Sequence, residues 1–547
     1  MKKIIIGVLA VVLWFAAVIG YTVAATGNED DADEHDFTVL TVKEETVKDY
    51  NTMPVFTELA RKTGKDVYWT YKTSNQYSAT IDPVSEKGVD AIYHAGFSSL
   101  KLYNYGRRGR IVAIDEYLKD DKVMPNFKKI LDNPLRQDIR QALESPDGHI
   151  YSLPRIEEMG LKAYPNLLFL NKEWVKQLIS QNNMPAGINL KEEDLKDGLK
   201  LKRSEFKAIL QKFNDADIAG VDNKNKVPLA FVSGNWQGNE SDLIASFGVP
   251  ENREHKTIVD GKVTFTIEDE NWFNAVKELN DWYNRGLIRS SVFSQTQDEF
   301  LAKGQDGRYG AFYWWEKETV VAKDKHDDYI VLQPLVDDAT GKQYVGLSNE
   351  QEIEKSECVI LSSCKDIPGL LSYFDKFFEP EISAQLNYGS IASGAFKPQK
   401  DENGKLVPND DHGNQSADDF RMKNAPYGVV YLTADEWKNS VVMESRAMLR
   451  LERLENWVKP YTFANVTAIP NLNYTKDQLD ILNTYESSLG NNIAAWMTKS
   501  ITAPTAPTKS DWQNSLLKTN QNSIKAVKDV NQEAYNDYIK KVNGAAE

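Results

Sequence analysis

Asp215, Asp217 and Gly220 occupy the first, third and sixth positions of the stretch DADIAGVDNKNKVPL, residues 215–229. Calcium asks for several oxygen ligands at such positions, with a glycine at the sharp turn and an acid late in the loop. The fifth position is Ala219, and the place for the late acid falls among Asn223, Lys224, Asn225 and Lys226. A lysine supplies no ligand oxygen and cannot neutralise an ion, so a bound calcium needs Asp222 to compensate in a shifted register. The expectation is a degenerate calcium loop on Asp215, Asp217 and Asp222, with a metal-free turn favoured over a structural calcium. Other chemistries find less to work with. There is no phosphate-cradling glycine loop, no His-Glu-x-x-His and no Gly-x-Ser-x-Gly, and the six histidines are scattered. The adjacent carboxylates Glu157-Glu158 and Asp327-Asp328 are expected on solvated edges, not on either side of a scissile bond.

Helical and strand patterns alternate along the chain, the arrangement that builds α/β lobes. Residues 36–42 (DFTVLTV) open as a strand, and 67–71 and 89–93 read as further strands. Pro54 starts a helix with Val55, Phe56, Leu59 and Ala60 on one face, ended near Gly64. Pro146-Asp147-Gly148 is a turn signal, and residues 149–153 read as a short strand stopped by Pro154. Residues 167–170 have buried-strand length, with Asn171 capping a helix that begins at Lys172. Asp269 caps a helix carrying Trp272, Val276, Leu279 and Tyr283 at helical spacing and closed by Gly286, so Trp272 and Trp282 read as structural. Phe206, Ile209, Leu210 and Phe213 repeat the pattern behind Ser204, and Leu370, Leu371, Phe374, Phe377 and Phe378 do so after Pro368. The end of the chain is mostly helical, with a loop at 502–508.

At 547 residues the chain is far beyond one compact core, so two or more lobes are expected. Lys2 and Lys3 are followed by no charge until Glu29, and residues 4–19 are almost entirely apolar, the pattern of an export signal. Val23-Ala24-Ala25 offers a cleavage site, but the uncharged stretch is also long enough to span a bilayer. Cleavage with release and an uncleaved anchor both stay open. Residues 27–36 (GNEDDADEHD) cannot bury apolar surface and read as a flexible spacer. The formal net charge is -15, and loss of Lys2 and Lys3 with the leader takes it to -17. A nucleic-acid binder wants the opposite sign along a basic stripe, and the densest basic cluster, YGRRGR at 105–110, reads as an ordinary turn. Cys358 and Cys364 flank the strand-like run VILSS, which if extended holds them beyond disulfide reach. They are expected as small buried residues at strand ends.

Residues 145–174 (SPDGHIYSLPRIEEMGLKAYPNLLFLNKEW) closely resemble the point where the extracellular solute-binding proteins of carbohydrate ABC importers, family 1, cross from lobe to lobe. The most similar subgroup is the large oligosaccharide-binding lipoproteins. Further matches follow in the family's order: VDAIY at 89–93 with Gly96-Phe97, NRGLIRSSV at 284–292, FLAKGQDGRYG at 300–310 with residues 312–315, Asn387-Tyr388-Gly389, and QEAYNDY at 532–538. One departure is the absence of the lipid-bearing cysteine that the family carries just after the apolar region of the leader.

The resemblance implies a class II periplasmic-binding-protein fold, two α/β lobes joined by hinge crossings with a ligand cleft between them. Residues 37–165 plus 355–405 are expected as the first lobe and 166–354 plus 406–547 as the second, after a leader or anchor (1–25) and a linker (26–36). It implies an exported monomer at the outer face of the cytoplasmic membrane, capturing an oligosaccharide for permease subunits driven by a cytoplasmic ATPase. No catalysis and no cofactor are required, although relatives in the subgroup often carry a calcium loop where residues 215–229 fall. A ligand-sensing ectodomain and an exported glycoside hydrolase are the alternatives. A pyranose has apolar C–H faces and a belt of hydroxyls, so a good site stacks a face on an indole or phenol and surrounds the belt with polar groups. The candidates are Trp314, Trp315, Trp236 in SGNWQGNE, Trp69, Tyr93 and Tyr388, with Asp90, Arg155, Asn235 and Gln237 as polar partners. Alternation along a strand should point one of Trp314 and Trp315 into the cleft.

Overall fold

The computed structural model describes residues 35–544 apart from 44, 46, 81 and 414. The expected leader or anchor (1–25) and nearly all of the linker (26–36) lie outside the described residues. Among the described residues no helix is long and apolar enough to cross a membrane.

Six strands form the first sheet, in the spatial order Val430–Leu432, Leu153–Glu157, Ile353–Ile360, Ala91–Tyr93, Phe37–Val42, Val67–Lys72. Phe37–Val42 runs parallel to both of its neighbours and Leu153–Glu157 runs parallel to Val430–Leu432, while Ile353–Ile360 lies antiparallel between the two groups. Five strands therefore end at one edge, at Val42, Lys72, Tyr93, Glu157 and Leu432. Parallel strands need cover on both faces. Phe37 and Val39 accordingly join one apolar cluster with Val55, Phe56 and Leu59, and Leu40 joins another with Ile92 and Leu102. The helix Pro54–Thr63 starts on its proline and stops at Gly64, whose φ of 64° lets its N–H reach Ala60 O.

The second lobe holds a four-stranded sheet in the order Tyr329–Val331, Leu167–Asn171, Tyr309–Trp314, Val227–Ala230. Leu168, Leu170, Ala311 and Tyr313 face the helices that carry Trp174, Phe206, Phe213 and Trp282, while Leu167, Phe169, Phe312 and Trp314 face Leu454 and Val458. Asn171 caps the helix Lys172–Ser180 through the N–H of Trp174. Beyond a small sheet of Val466–Thr467, Lys256–Val259 and Lys262–Phe265, the long helices Lys476–Thr502 and Thr519–Gly544 pack on this lobe. Asn280 fastens the end of the first by donating to the carbonyls of Ser500, Ile501 and Ala503.

Three crossings join the lobes. Residues 158–166 lead from Glu157 to Leu167, which pairs with Trp314 at the carboxyl edge of the second sheet. Residues 332–352 return from Val331 to Ile353, opposite Ile156. Residues 433–444 lead from Leu432 to the helix Ser445–Trp457, whose Leu454 lies in the core of the second sheet. The carboxyl edges of both sheets thus face each other, the place where open α/β sheets bind ligands.

Two expectations are corrected here. The strand expected at 149–153 lies at Leu153–Glu157 and contains Pro154. Its missing N–H is tolerated because the register of the partner strand shifts between Glu354 and Cys358, and the other neighbour begins pairing only at Arg155. The second lobe does not resume at 406, because Val430–Leu432 pairs with Arg155–Glu157 in the first sheet and Leu406 bridges to Val441. A three-residue strand is too short to announce itself by periodicity. Cys358 and Cys364 are both buried and free.

Candidate ligand-binding site

The first-lobe wall of the cleft grows from the end of Leu153–Glu157. Arg155 and Glu157, two residues apart, share one face of the strand. The Arg155 guanidinium is paired with Glu157 and donates to Asn387 Oδ1 at 3.0 Å. Asn387 in turn donates from Nδ2 to Glu157, and Arg421 donates from Nε to Asn387 O at 2.7 Å, with its Nη2 3.4 Å from Glu157 Oε1. Arg421 lies 4.2 Å from the ring centroid of Tyr388 and 5.0 Å from that of Tyr427, cation–π geometry. Burial alone would raise the Glu157 pKa, but Arg155, Arg421 and the Asn387 hydrogen bond overcome it and hold it down at about 2. Glu157 is therefore not on a solvated edge, and Glu158 is paired with Arg136.

The second-lobe wall grows from the end of Tyr309–Trp314. Trp314 turns inward, stacks on Phe300 at 4.8 Å and donates to Thr319 Oγ1 at 3.1 Å. Trp315, one residue past the strand, lies half-buried at the margin of the same apolar cluster. It meets Trp236 edge to face, with centroids 5.4 Å apart at 84°, and Arg450 lies 4.4 Å over its ring. Its indole N–H finds no acceptor among the described residues. The loop that carries Trp236 is brought in by Gly238, whose φ is 65° and where a Cβ would collide with the Trp314 ring. Arg450 donates to Leu161 O at 3.2 Å, and burial pushes its pKa down to about 9 against the pull of Glu316. Arg446 pairs with Glu316 at 2.9 Å. Glu157, Tyr388 and Arg421 from one lobe and Trp315, Arg446 and Arg450 from the other line a cavity of about 70 Å³. Half-buried indoles beside fixed charged donors and acceptors suit a ligand with apolar faces and hydroxyl edges.

The expected site residues divide. Trp315, Trp236, Tyr388 and Arg155 come together at this cleft. Asn235 and Gln237 share the Trp236 loop, where Asn235 Nδ2 donates to Gln237 O at 3.0 Å and the Gln237 side chain is buried. Trp69 and Tyr93 do not reach the cleft, because they pack on each other and on Tyr50 in the first-lobe core at 3% and 0% exposure. Trp314 is likewise core. Asp90 lies at the opposite end of the sheet, where its carboxylate accepts the N–H of Thr38 at 2.9 Å. Sequence reasoning misses Arg421 and Tyr427, for which no local pattern exists, and Asn387, whose signal is its place in the matched segment Asn387-Tyr388-Gly389. It also misses Arg446 and Arg450, whose signal is arginine at positions four apart on an otherwise amphipathic helix. Tyr71, half exposed with Lys43 4.2 Å over its ring, adds an aromatic at the same edge of the first sheet.

A groove of about 910 Å³ lies on the other face of the second crossing, where Asn349, Gln351 and Lys355 line it while Glu352 lines the smaller cavity. Volume favours the groove. Its lining residues include no tryptophan, and Lys256 and Arg253 are already paired with Glu486 and Glu350. On chemistry, the aromatic cleft is therefore the candidate site.

The degenerate calcium loop, for which a metal-free turn is the favoured expectation, has side chains that fit the ion poorly. Asp215 accepts from Gln211 at 3.0 Å, Asp217 accepts from Asn223, Asp222 accepts the N–H of Lys224 at 2.9 Å, and the Ala219 side chain offers no oxygen.

No protein-family model matches the chain. The chain is 27% identical over 459 residues to the fructooligosaccharide ABC transporter substrate-binding protein FusA of Streptococcus pneumoniae serotype 4, covering 82% of this chain and 80% of the relative. Among solved structures, an S. pneumoniae FusA EF-hand mutant in complex with fructo-nystose superposes with a TM-score of 0.82 at 24% identity, over 92% of this chain and 99% of that one. A human-milk-oligosaccharide (HMO) binding, ABC-transporter-associated solute-binding protein of Bifidobacterium longum infantis superposes with a TM-score of 0.69 at 17% identity, over 92% and 98%. The two-lobe fold is that of ABC solute-binding proteins.

Proposed function

We propose that this chain, related by sequence and fold to the substrate-binding proteins of ABC importers, captures an oligosaccharide between its lobes and hands it to a membrane permease. The observation that carries the reading is the Trp236–Trp315 pair opposite the Arg155–Glu157–Asn387–Arg421 network across one cleft. The indoles take the C–H faces of the sugar, and the network and Arg446 take its hydroxyls. Hinge closure about the three crossings buries the ligand, and discrimination between open and closed forms follows from contacts made to both walls at once. The protein acts outside the cell at the cytoplasmic membrane, as a monomer. ATP hydrolysis belongs to the transporter's own ATPase, and the chain performs no chemistry on its cargo.

A thermal-shift and calorimetric screen against fructans and other glycans tests this. A ligand present at about 100 times its dissociation constant adds roughly 2.7 kcal/mol of stability. Saturable binding with the glycan recovered uncut supports the reading, and cleavage of the bound glycan overturns it in favour of a hydrolase.

A further inference from the structure

Counting from Asp215, the twelfth loop position, where a calcium loop of this kind places its bidentate acid, is Lys226. Its side chain turns into the loop and is 2% exposed. Nζ donates to the carbonyls of Ala216 and Asn214, the latter at 3.4 Å. Gly220 keeps the left-handed turn expected at the sixth position, with φ 89°. Around the ammonium the other loop groups are already engaged, within the loop and with the flanking helices. Asp215 and Asp217 are bound to Gln211 and Asn223, and the backbone of Ala219 exchanges hydrogen bonds with the Gln177 side chain. Arg289 adds a second cation, reaching Asn214 Oδ1 at 3.0 Å and Lys226 O at 3.2 Å.

We infer that Lys226 is a covalently attached replacement for a loop cation, so that this calcium-type loop is held in its folded shape without metal. The ammonium supplies the loop with one positive charge, where an ion would bring two, and the loop carries correspondingly few carboxylates. The late-acid position is Lys226 itself and the fifth position is Ala219, so fewer carboxylates need neutralising. Burial holds the Lys226 pKa below the ordinary lysine value, with Asp217 and Asp215 opposing the shift and Arg289 adding to it. The loop leads directly into Val227–Ala230, the strand whose far end continues into the Trp236 segment. A built-in cation therefore makes the placement of that segment independent of the calcium concentration outside the cell.

Three measurements on the full chain decide the matter. The wild-type melting temperature is expected to be the same in excess chelator and in millimolar calcium, with no calcium uptake by calorimetry. Chelator-induced loss of stability that calcium reverses overturns the inference. Lys226→Met, which keeps length and removes charge, is expected to melt several degrees lower in both conditions, and an unchanged melting temperature means that the ammonium carries no load and overturns it. Ala219→Asp with Lys226→Glu restores both missing ligands and is expected to melt low in chelator and regain stability in calcium. Failure of calcium to raise its melting temperature means that Lys226 does not stand at the cation position.

Discussion

Glu157 is the group on which the first-lobe wall turns, and replacing it with glutamine tests the network directly. The folded-state pKa of about 2 against an ordinary value of 4.5 corresponds to roughly 3 kcal/mol of preference for the ionised form. Its side chain is 11% exposed, so solvent screening removes little of this. Glu157→Gln keeps the volume and one acceptor but leaves Arg155 and Arg421 with no carboxylate between them, and losing one partner of a buried pair costs about 3–5 kcal/mol. Because the folded pKa is depressed, the stabilisation is complete above the unfolded value and is lost as the pH falls through the folded one. The difference between wild type and variant, followed as the first denaturant transition, is therefore expected to be largest near neutrality and to shrink from about pH 4.5 towards about pH 2. A gap that stays constant across that range, or no gap at neutrality, refutes the assignment of Glu157 as the ionised centre of the network.

Trp315→Ala and Trp236→Ala are each expected to weaken glycan binding by about five- to thirteen-fold, the loss of one stacking face at about 1–1.5 kcal/mol, with little change in melting temperature. Equilibrium titration checks this, and undiminished affinity in both removes the site from this cleft. Trp314→Ala is expected to act through stability, costing about 3–5 kcal/mol as a core truncation, read from denaturant unfolding. Asp242 accepts the N–H of Gly346 at 3.1 Å, and burial raises its pKa to about 7 despite that hydrogen bond. A raised acid pKa means that stability falls as the pH climbs from the ordinary value of 3.8 towards 7. Asp242→Asn is therefore expected to stabilise the protein by roughly 1–3 kcal/mol at about pH 8 and by much less at about pH 4, measured by paired thermal melts.

Local order was decided by the sequence. Pro54 and Gly64 bound one helix, Asn171 and Asp269 cap two others, and the apolar run at 167–170 is a buried strand, because each depends on residues within one or two turns of each other. The pair Trp314-Trp315 marks the limit of that reach. Strand alternation dictates that the two rings part company, but which one meets the cleft depends on Phe300 and Thr319 taking Trp314 into the core while Trp236 and Arg450 take Trp315. The candidate network is tertiary in the strict sense. Glu157, Asn387 and Arg421 come from segments separated by 230 and 264 positions, and no pattern in any one of them predicts the others. Val430–Leu432 belongs to the first lobe only because its backbone pairs with Arg155–Glu157. Short-range patterning specified the elements, whereas desolvation and pairing of distant charges, which exist only once each lobe is folded, assembled the candidate site from them.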